Sequence, residues 1–427
     1  MNSNNLYSKF LLIWFGQFIS VMGTGLSLFA LGVYTYRQTN TATSYVFVLM
    51  CVFLPPFLLK PYGGVLADRY DRRLMMILGD LGATIGLLYI FFFMWKGNIQ
   101  LWQIYLGISF SSIFSAFQEP AYKALVTDLL PKEQYAKASG LMQLATSSQY
   151  LISPFLAGLL LTLIKIEYIF LIDTSTLIIS STIVILIRKI LGKAATTTKK
   201  QNFISEFKEG FRAFTENKGV VNLVLTIMIV LFFVGLLQSL MIPMLLNIAV
   251  TRDVGIAQSV SASGMIIGSL FMGLFGRKSD NRMMLSSSLF LAGLFFENMG
   301  VSKSIIYITS AGFLFFATLP FVNTSIEVMI RNNIDNSKQG RVWSIISMVT
   351  YLGSILAFGV AGFLADKIFN PLLEINGLLA DSVGKFIGVG SARGIALMLV
   401  ISGAMISVIA LFLFRNKSIK LLENPSQ

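Results

Sequence analysis

The sequence predicts an all-α polytopic membrane protein, with twelve transmembrane helices arranged as two pseudo-symmetric six-helix bundles. Three observations support this: an apolar composition, twelve apolar segments of spanning length, and a weak repeat that relates the two halves of the chain. Of the 427 residues, 55% are hydrophobic and 12% are charged, and the mean hydropathy is +0.75. A soluble domain carries about 25% charged residues. The charges of this chain are therefore too few to cover a soluble protein of its size.

Twelve apolar segments are candidates for membrane spans, because a span takes about 20 mainly apolar residues. In chain order they are 10–36, 45–66, 74–95, 101–124, 136–163, 168–187, 219–248, 256–276, 284–300, 304–329, 341–365 and 394–414. An even number of spans places both termini on the same side of the membrane.

The lysines and arginines orient these spans. With the N-terminus placed in the cytoplasm, about three-quarters of the 33 basic residues fall in cytoplasmic segments. Cytoplasmic loops of membrane proteins carry such an excess of positive charge. The sequence therefore predicts a multi-pass protein of the cell membrane with both termini in the cytoplasm.

The longest cytoplasmic segment divides the chain into an N-terminal bundle (1–188), a linker (189–218) and a C-terminal bundle (219–427). Phenylalanines recur in the linker at helical spacing, with charged residues between them, which predicts an amphipathic helix on the membrane surface. They are Phe203, Phe207, Phe211 and Phe214. A second interfacial helix is predicted in the long extracellular segment 366–393, where apolar residues again share one helical face. These are Leu372, Ile375, Leu379, Val383 and Phe386.

A weak internal repeat relates the two predicted bundles. Four pairs of similar or identical residues fall at corresponding places in spans five and eleven, all at the same offset. They are Lys137 with Arg341, Ala157 with Ala361, Gly158 with Gly362, and Leu160 with Leu364. Parallel repeats about an axis along the membrane normal are typical of one large class of transporters, in which the substrate site lies between the halves.

The composition argues against several classes of function. The net charge is +13, but the basic residues lie in short loops and form no stripe with aromatic residues, so nucleic-acid binding is not expected. Cys51 is the only cysteine and there is no histidine, so we expect no disulfide, no metal site and no cofactor. A membrane-embedded enzyme would need a histidine, a Ser/Lys dyad or clustered acids, and we expect no catalytic residues. No phosphate-binding loop of the Gly-x-x-x-x-Gly-Lys-Ser/Thr type is present, so the chain is not expected to use ATP. A non-transporting receptor is the remaining alternative outside transport.

The most specific motif lies between spans two and three, at 64–73, and reads Gly-Val-Leu-Ala-Asp-Arg-Tyr-Asp-Arg-Arg. It resembles the hinge motif of the major facilitator superfamily, Gly-x-Leu-Ala-Asp-Arg-x-Gly-Arg-Lys. The resemblance implies the twelve-helix major facilitator fold, and a charge cluster of this kind biases an equilibrium between two states. The residues assigned to this conformational switch are Gly64, Asp68, Arg69, Arg72 and Arg73. A similar string, 362–367, ends span eleven on the opposite side without the paired arginines, and we expect it to carry little function by itself.

The Asp-Arg-x-Asp-Arg-Arg form of the hinge resembles the drug-exporting branch of the superfamily, which includes macrolide efflux proteins. Segments 14–17, 116–121 and 153–154 agree with that branch. The resemblance implies a secondary active transporter that exports hydrophobic or amphiphilic drugs by alternating access, coupled to protons, and that confers antibiotic resistance. It implies a monomer whose partners are a lipophilic small molecule, protons and membrane lipid. The alternative is an exporter of a specific metabolite, such as a siderophore or a lysolipid.

Two departures from the proton antiporters of the superfamily bear on coupling. Many of those proteins have an arginine in the middle of span four, where this chain has Ser109, Ser111 and Ser112. Their span-five signature, Gly-Pro-x-x-Gly-Gly, is reduced here to Ser-Pro-Phe-Leu-Ala-Gly at 153–158. The usual residues therefore do not mark proton coupling in this chain.

Acidic residues inside the predicted spans are candidates for transport, because ionisable groups are costly in a bilayer. Glu119 in span four is the first candidate for proton coupling or cation contact, with an i,i+4 pair to Lys123 as the structural alternative. Glu327 in span ten has the corresponding alternative of a pair with Arg331. Asp173 in span six is a candidate for gating or substrate contact, with helix packing as its alternative.

Polar residues in three further spans are candidates for the substrate cavity. Gln17, Gln238 and Asn323 lie in spans one, seven and ten, and in the superfamily these helices line the central cavity. At the repeat offset, Asn323 corresponds to Glu119. Asp80, in span three, is expected to pair with the hinge arginines.

Overall fold

The computed structural model describes residues 3–97, 99–191, 203–275, 280–334 and 339–422, and the regular structure within these ranges is helical. The helices are α1 (Ser3–Thr39), α2 (Ala42–Arg69), α3 (Arg72–Trp95), α4 (Leu101–Leu129), α5 (Tyr135–Leu151), α6 (Ser153–Leu163), α7 (Ile166–Leu191), α8 (Phe203–Glu216), α9 (Lys218–Leu246), α10 (Thr251–Phe275), α11 (Asn281–Val301), α12 (Ile305–Asn332), α13 (Gln339–Phe363), α14 (Asn370–Leu373), α15 (Gly384–Ile387), α16 (Arg393–Arg415) and α17 (Lys417–Lys420). A π-helical segment, Leu364–Phe369, continues α13.

The predicted spans correspond to these helices. Among the described residues, ten helices are long and apolar enough to cross a membrane, and the number is eleven if Lys137–Leu151 and Ser153–Leu163, which meet at a bend of 42°, are counted as one span. The bend adjoins Pro154, which lacks a backbone N–H donor. The remaining predicted span is α4, which has 29 residues but is made less apolar by its serines and charged residues. The prediction of an all-α polytopic membrane protein is confirmed, and the helices of the described ranges agree with the count of twelve spans.

Polar side chains define where several helices begin. The Asp71 carboxylate accepts a hydrogen bond from the N–H of Arg73 at 3.0 Å at the start of α3, and Asp280 accepts one from the N–H of Met283 at 2.9 Å at the start of α11. Such caps satisfy N–H groups that the first turn of a helix leaves without a partner.

The prediction of an interfacial helix in 366–393 is wrong. The structure has instead the end of the π-helical segment, α14 and α15, with turns between them. Asn376 has a φ of 72°, which a right-handed helix excludes, and the N–H of Gly377 closes a turn on the Glu374 carbonyl at 2.8 Å. The apolar periodicity therefore does not produce a packed helix face, and Ile375 is 81% exposed.

The amphipathic helix predicted from the linker phenylalanines is present as α8. It contacts α13 through an ion pair between Glu209 Oε2 and Arg341 Nη1 at 2.6 Å. The backbones also approach closely, since a Cβ atom on Gly210 would lie 3.1 Å from the Arg341 carbonyl oxygen. The location of this helix on a membrane surface stays a prediction.

The chain forms two compact units. The first comprises Met1–Thr39, Phe47–Lys200 and Thr251–Ile256, and the second comprises Asn40–Val46, Gln201–Val250 and Ala257–Gln427. The first turn of α2 and the first turn of α10 thus each belong to the unit that is built mainly from the other half of the sequence. The bundle and linker boundaries predicted from the sequence, 1–188, 189–218 and 219–427, stay a prediction.

Small residues bring the helices of the first unit into backbone contact. A Cβ atom on Gly86 would lie 2.5 Å from the Gly107 carbonyl oxygen, and one on Gly82 would overlap the ring of Phe114. Membrane helices associate through such small residues. Helices α3 and α4 are therefore held in one fixed register, which also fixes the position of Asp80 on α3.

Candidate functional site

The hinge motif forms the junction between α2 and α3. Arg72 contacts α4: its Nη1 donates to the Ala124 carbonyl at 2.8 Å and to Asp128 Oδ1 at 2.6 Å. Asp71, which caps α3, also accepts a hydrogen bond from Nε of Arg188 on α7 at 2.9 Å. Charge-assisted hydrogen bonds thus join the hinge to two further helices of the first unit, and such bonds are stronger than neutral ones.

The other predicted switch residues differ in their surroundings. Arg73 is buried, with 6% of its surface exposed, and Arg69 is exposed at the end of α2. Gly64 and the Asp68 side chain lie outside the residues whose surroundings are described. The switch function of the five residues stays a prediction.

Glu119 lies between two lysines. Its carboxylate is 2.6 Å from Nζ of Lys60 on α2 and 2.8 Å from Nζ of Lys123 on α4. Two adjacent ammonium groups stabilise the ionised form of a carboxylate. The arrangement favours a role in joining α2 to α4 over reversible binding of a proton.

A buried polar chain connects four helices of the first unit. Nε2 of Gln17 donates to Ser180 Oγ at 2.7 Å, and that hydroxyl donates to Asp80 Oδ2 at 2.9 Å. The side-chain amide of Gln118 donates in turn to Gln17 Oε1. Asp80 is 3% exposed, so its carboxyl group lies inside the packed helices and contacts Ser180 rather than a hinge arginine.

Asp173 is fully buried between α7 and α1. Its Oδ1 lies 3.5 Å from the Thr24 hydroxyl, and among the described residues Oδ2 has no hydrogen-bond partner. Gly23 provides the space, because a Cβ atom there would lie 2.9 Å from Oδ1. An ionised carboxylate without a cation or a full set of hydrogen bonds is very costly in such a place.

The second unit has a cavity of about 390 Å³. It is lined by Asn323, Ile326, Glu327, Arg331 and Trp343. The structure thus brings together two of the predicted site residues, Asn323 and Glu327, and adds an indole from α13. Glu327 is paired with Arg331, as the structural alternative predicted. Gln238 does not line this cavity and is exposed on α9.

The start of α2 and the start of α10 each pack in the unit that is built mainly from the other half of the sequence. Each is held there by a contact that we call a junction. We call the first the Asp366 junction. There, Asp366 Oδ1 accepts from the N–H of Ala42 at 3.0 Å, and Oδ2 accepts from the N–H and the hydroxyl of Thr43 at 2.8 and 2.7 Å. Gly362 allows the approach, since a Cβ atom on it would lie 2.5 Å from Thr43 Cα.

We call the second contact the Gly255 junction. A Cβ atom on Gly255 would lie 2.3 Å from the Pro154 carbonyl oxygen and 3.2 Å from Gly158 Cα. The starting turn of α10 therefore packs directly on the backbone of α6. Thr251, in that turn, has a buried hydroxyl without a hydrogen-bond partner among the described residues.

Sequence reasoning missed several of these residues. The sequence patterns do not point to Ser180, Gln118 or Trp343, and the string around Asp366 lacks the paired arginines that mark the hinge. A signal for Ser180 was available, since it lies seven residues after Asp173 and shares its helix face. The contact between Lys60 and Glu119 carries no such local signal.

The fold and these sites define a polytopic α-helical membrane protein of the transporter class. Residues 13–252 match the family model described as Major Facilitator Superfamily, and the chain belongs to that family of small-molecule transporters.

Two relatives and one solved structure support this assignment. Macrolide efflux protein A of Streptococcus pyogenes is 28% identical over 378 residues, covering 86% of this chain and 91% of that protein. Macrolide efflux protein A of Enterococcus faecalis is 29% identical over 313 residues, covering 70% and 94%. A solved structure of a bacterial homolog of the human lysosomal transporter Spinster aligns with a TM-score of 0.69 at 16% identity over 97% of each chain, which shows the shared fold.

Proposed function

We propose that the protein exports hydrophobic or amphiphilic compounds of the macrolide type by alternating access, driven by the inward flow of protons. The observation that carries this proposal is the similarity to two macrolide efflux proteins over most of the chain. In this proposal the protein acts as a monomer in the plasma membrane, with both termini in the cytoplasm, and its activity confers antibiotic resistance.

The cavity of the second unit supports an amphiphilic substrate. Its volume of about 390 Å³ falls within the ~300–1,000 Å³ of ligand pockets. Trp343 offers an aromatic face for an apolar ring, and Glu327 offers a carboxylate to a basic amino group such as that of an amino sugar. A cationic group of the substrate would compete with Arg331 for Glu327, which couples binding to the release of an existing ion pair.

The hinge supports movement between two states. Two ion pairs, Arg72–Asp128 and Arg188–Asp71, join the α2–α3 turn to α4 and α7. Partly exposed pairs of this kind can be exchanged for water at small net cost. In the proposal, this network stabilises one of the two states of the transporter and is rearranged in the other.

A test in cells addresses the substrate. The protein is expressed in a host that lacks its own drug exporters, and the accumulation of a radiolabelled macrolide is measured with and without a protonophore. We expect lower accumulation than in the empty host and loss of this difference when the proton gradient is dissipated. Unchanged accumulation at verified expression would contradict macrolide export, and a panel with siderophores and lysolipids would then test a specific-metabolite exporter.

A pair of tryptophan variants tests the cavity. Trp343→Ala should weaken export about tenfold, equivalent to ~1.4 kcal/mol of interaction with the substrate. Trp95→Ala is the matched control, because this side chain is 64% exposed at the end of α3 and does not line the cavity. Equal activity of both variants and the unmodified protein would remove this cavity from the substrate site.

A further inference from the structure

Two acids of the first unit are buried within its helices without a cation at their side. Asp80 on α3 is 3% exposed and Asp173 on α7 is 0% exposed. A buried acid in a membrane-spanning segment is costly, and such residues commonly mark a pathway for ions, protons or substrate. Neither is needed to cap a helix, and neither pairs with a lysine or arginine among the described residues.

Both acids lie on one row of polar side chains, which we call the polar seam. It consists of Gln17, Ser20, Thr24 and Ser27 on α1, Asp173, Thr176 and Ser180 on α7, and Asp80 on α3. On each of the two longer helices the spacing is three or four residues, so the side chains share one face. All members except Thr24 are buried.

The seam follows α7 from one acid towards the other. Asp173 and Ser180 are seven residues apart, which is two helical turns or about 10.5 Å. Thr176 lies between them, and its hydroxyl faces α1 at Gly23, where a Cβ atom would be only 2.3 Å from its Oγ1. In the structure the Thr176 hydroxyl donates to the backbone carbonyl of Asp173 at 2.7 Å. Hydroxyl groups both donate and accept hydrogen bonds, so Thr176 and Ser180 are polar groups available to a proton along the line between the two acids.

The ends of the seam reach less buried positions. At the Asp173 end, Thr24 is exposed and lies 3.5 Å from Oδ1. At the Asp80 end, Gln118 is only partly buried and is joined to Asp80 through Gln17 and Ser180. The seam therefore has an accessible group at each end and one acid near each of them.

Other ionisable groups lie at other levels of the helices that pack around the seam. They are Tyr7, Lys9, Tyr34, Tyr36 and Arg37 on α1, Arg72, Arg73 and Tyr89 on α3, Tyr105, Glu119, Tyr122, Lys123 and Asp128 on α4, Tyr135, Lys137 and Tyr150 on α5, and Glu167, Tyr168, Arg188 and Lys189 on α7. Within the described part of the chain, the contacts of the two carboxyl groups are with uncharged side chains, Ser180 for Asp80 and Thr24 for Asp173. Each acid can therefore exchange a single proton without an ion pair that would hold it ionised.

We propose that Asp80 and Asp173 are two proton-binding sites of the first unit, and that the polar seam carries the coupling proton between them. In each step a carboxylate accepts one proton on an oxygen and later releases it to the neighbouring hydroxyl row or to water. Glu119 has no part in this route, because two lysines already compensate its charge. This inference rests on the proposed proton-driven export.

The first experiment uses purified full-length protein in proteoliposomes with an acidic lumen. Accumulation of a labelled macrolide against its gradient is compared with exchange of labelled for unlabelled macrolide at equal pH. We expect Asp80→Asn and Asp173→Asn to lose gradient-driven accumulation, down to the level of liposomes without protein, and to keep most of the exchange activity. Asp381→Asn, the same change at an exposed acid, should keep both activities. Full gradient-driven accumulation by both seam variants would overturn the inference, and so would equal loss of both activities, which indicates a structural role only.

A second measurement does not depend on a substrate. Dicyclohexylcarbodiimide reacts with protonated carboxyl groups in apolar surroundings. The protein without substitutions is treated with this reagent over a range of pH, and the residues that carry an adduct are located by mass spectrometry. We expect adducts on Asp80 and Asp173, and none on Glu119. Absence of both adducts at every pH would overturn the inference. If the unmodified protein fails to transport macrolides but both adducts form, the proposed substrate is wrong and the proton-binding sites stand.

Discussion

The Asp366 junction and the Gly255 junction are equivalent in the internal repeat but differ in chemistry. Gly362 and Gly158 occupy matching repeat positions, and each lies against the first turns of a helix from the other half of the sequence. The Asp366 junction adds three hydrogen bonds to one carboxylate. The Gly255 junction has backbone packing and a buried Thr251 hydroxyl without a partner in the described chain.

The two junctions fix the start of a helix in two different ways. Close packing of backbone on backbone is specific in shape, since any added side-chain atom overlaps a rigid neighbour. A carboxylate on the free N–H groups of a helix start is specific in charge, because those groups carry the positive end of the helix dipole. When the junction opens, water can take the place of the carboxylate on these N–H groups. The net free-energy cost of opening a polar junction is therefore small. We therefore expect the glycines to set whether each junction forms and Asp366 to set how stable its junction is.

The largest effect is expected at Gly255. A methyl group in Gly255→Ala would lie 2.3 Å from the Pro154 carbonyl oxygen, and neither backbone can move without displacing its helix. We expect a strong loss of transport and a fall in apparent Tm of several degrees. Cys51 is the only cysteine and is partly buried, so a thiol-reactive fluorophore reports unfolding of the purified protein.

The matched control for this change is on the same helix. Gly273 of α10 has nothing within 4 Å of the position of an added Cβ atom, so Gly273→Ala should leave Tm unchanged or raise it slightly, because alanine favours helix over glycine. Equal Tm values for the two variants would mean that the Gly255 junction does not hold α10 in place.

Local spacing predicted part of these sites well. The pairs Glu119–Lys123 and Glu327–Arg331 are four residues apart on one helix, and both are present in the structure. The spans could also be predicted, from length and hydropathy, because each span is one continuous stretch of sequence.

Contacts between distant residues could not be predicted in this way. Asp80 is predicted to pair with the hinge arginines, but its partner is Ser180, which is 100 residues away, and one sequence does not specify which helices are neighbours. The string 362–367 lacks the arginines of the hinge, so the sequence predicts little function for Asp366. The structure shows that this string places its carboxylate on the start of α2, a role that depends on the partner helix and leaves no mark in the motif itself.

A smaller effect than at Gly255 is expected for Gly362→Ala. The added methyl group would lie 2.5 Å from Thr43 Cα, but the hydrogen bonds to Asp366 still hold the start of α2 at this junction, whereas the Gly255 junction depends on backbone packing. We expect Tm to fall by about half as much as for Gly255→Ala. Gly359→Ala on the same helix, α13, is the control, because a Cβ atom there meets nothing within 4 Å. If Gly359→Ala and Gly362→Ala lower Tm equally, the close approach to Thr43 contributes nothing.

The smallest effect is expected for Asp366→Asn, which keeps the shape of the junction and removes its charge. An asparagine has one acceptor oxygen and can replace only part of the three hydrogen bonds that the carboxylate accepts. Loss of a capping side chain costs about 0.5–2 kcal/mol, so the fall in Tm should be smaller than for either glycine. Asp381→Asn at an exposed position should leave Tm unchanged.

A double-mutant cycle with Thr43 shows whether this effect belongs to the junction. Thr43→Val removes the hydroxyl that donates to Asp366 Oδ2 at 2.7 Å and leaves the backbone donors in place. If Asp366 acts through this contact, the double variant should lose less stability than the sum of the two single variants, with a coupling of about 0.5–1.5 kcal/mol. Simple additivity would mean that the Thr43 hydroxyl does not contribute, and it would assign the effect of Asp366 to the backbone N–H groups of Ala42 and Thr43, which Thr43→Val leaves in place. The Asp366 junction would then still differ from the Gly255 junction, because a carboxylate on free N–H groups of a helix start adds to the backbone packing.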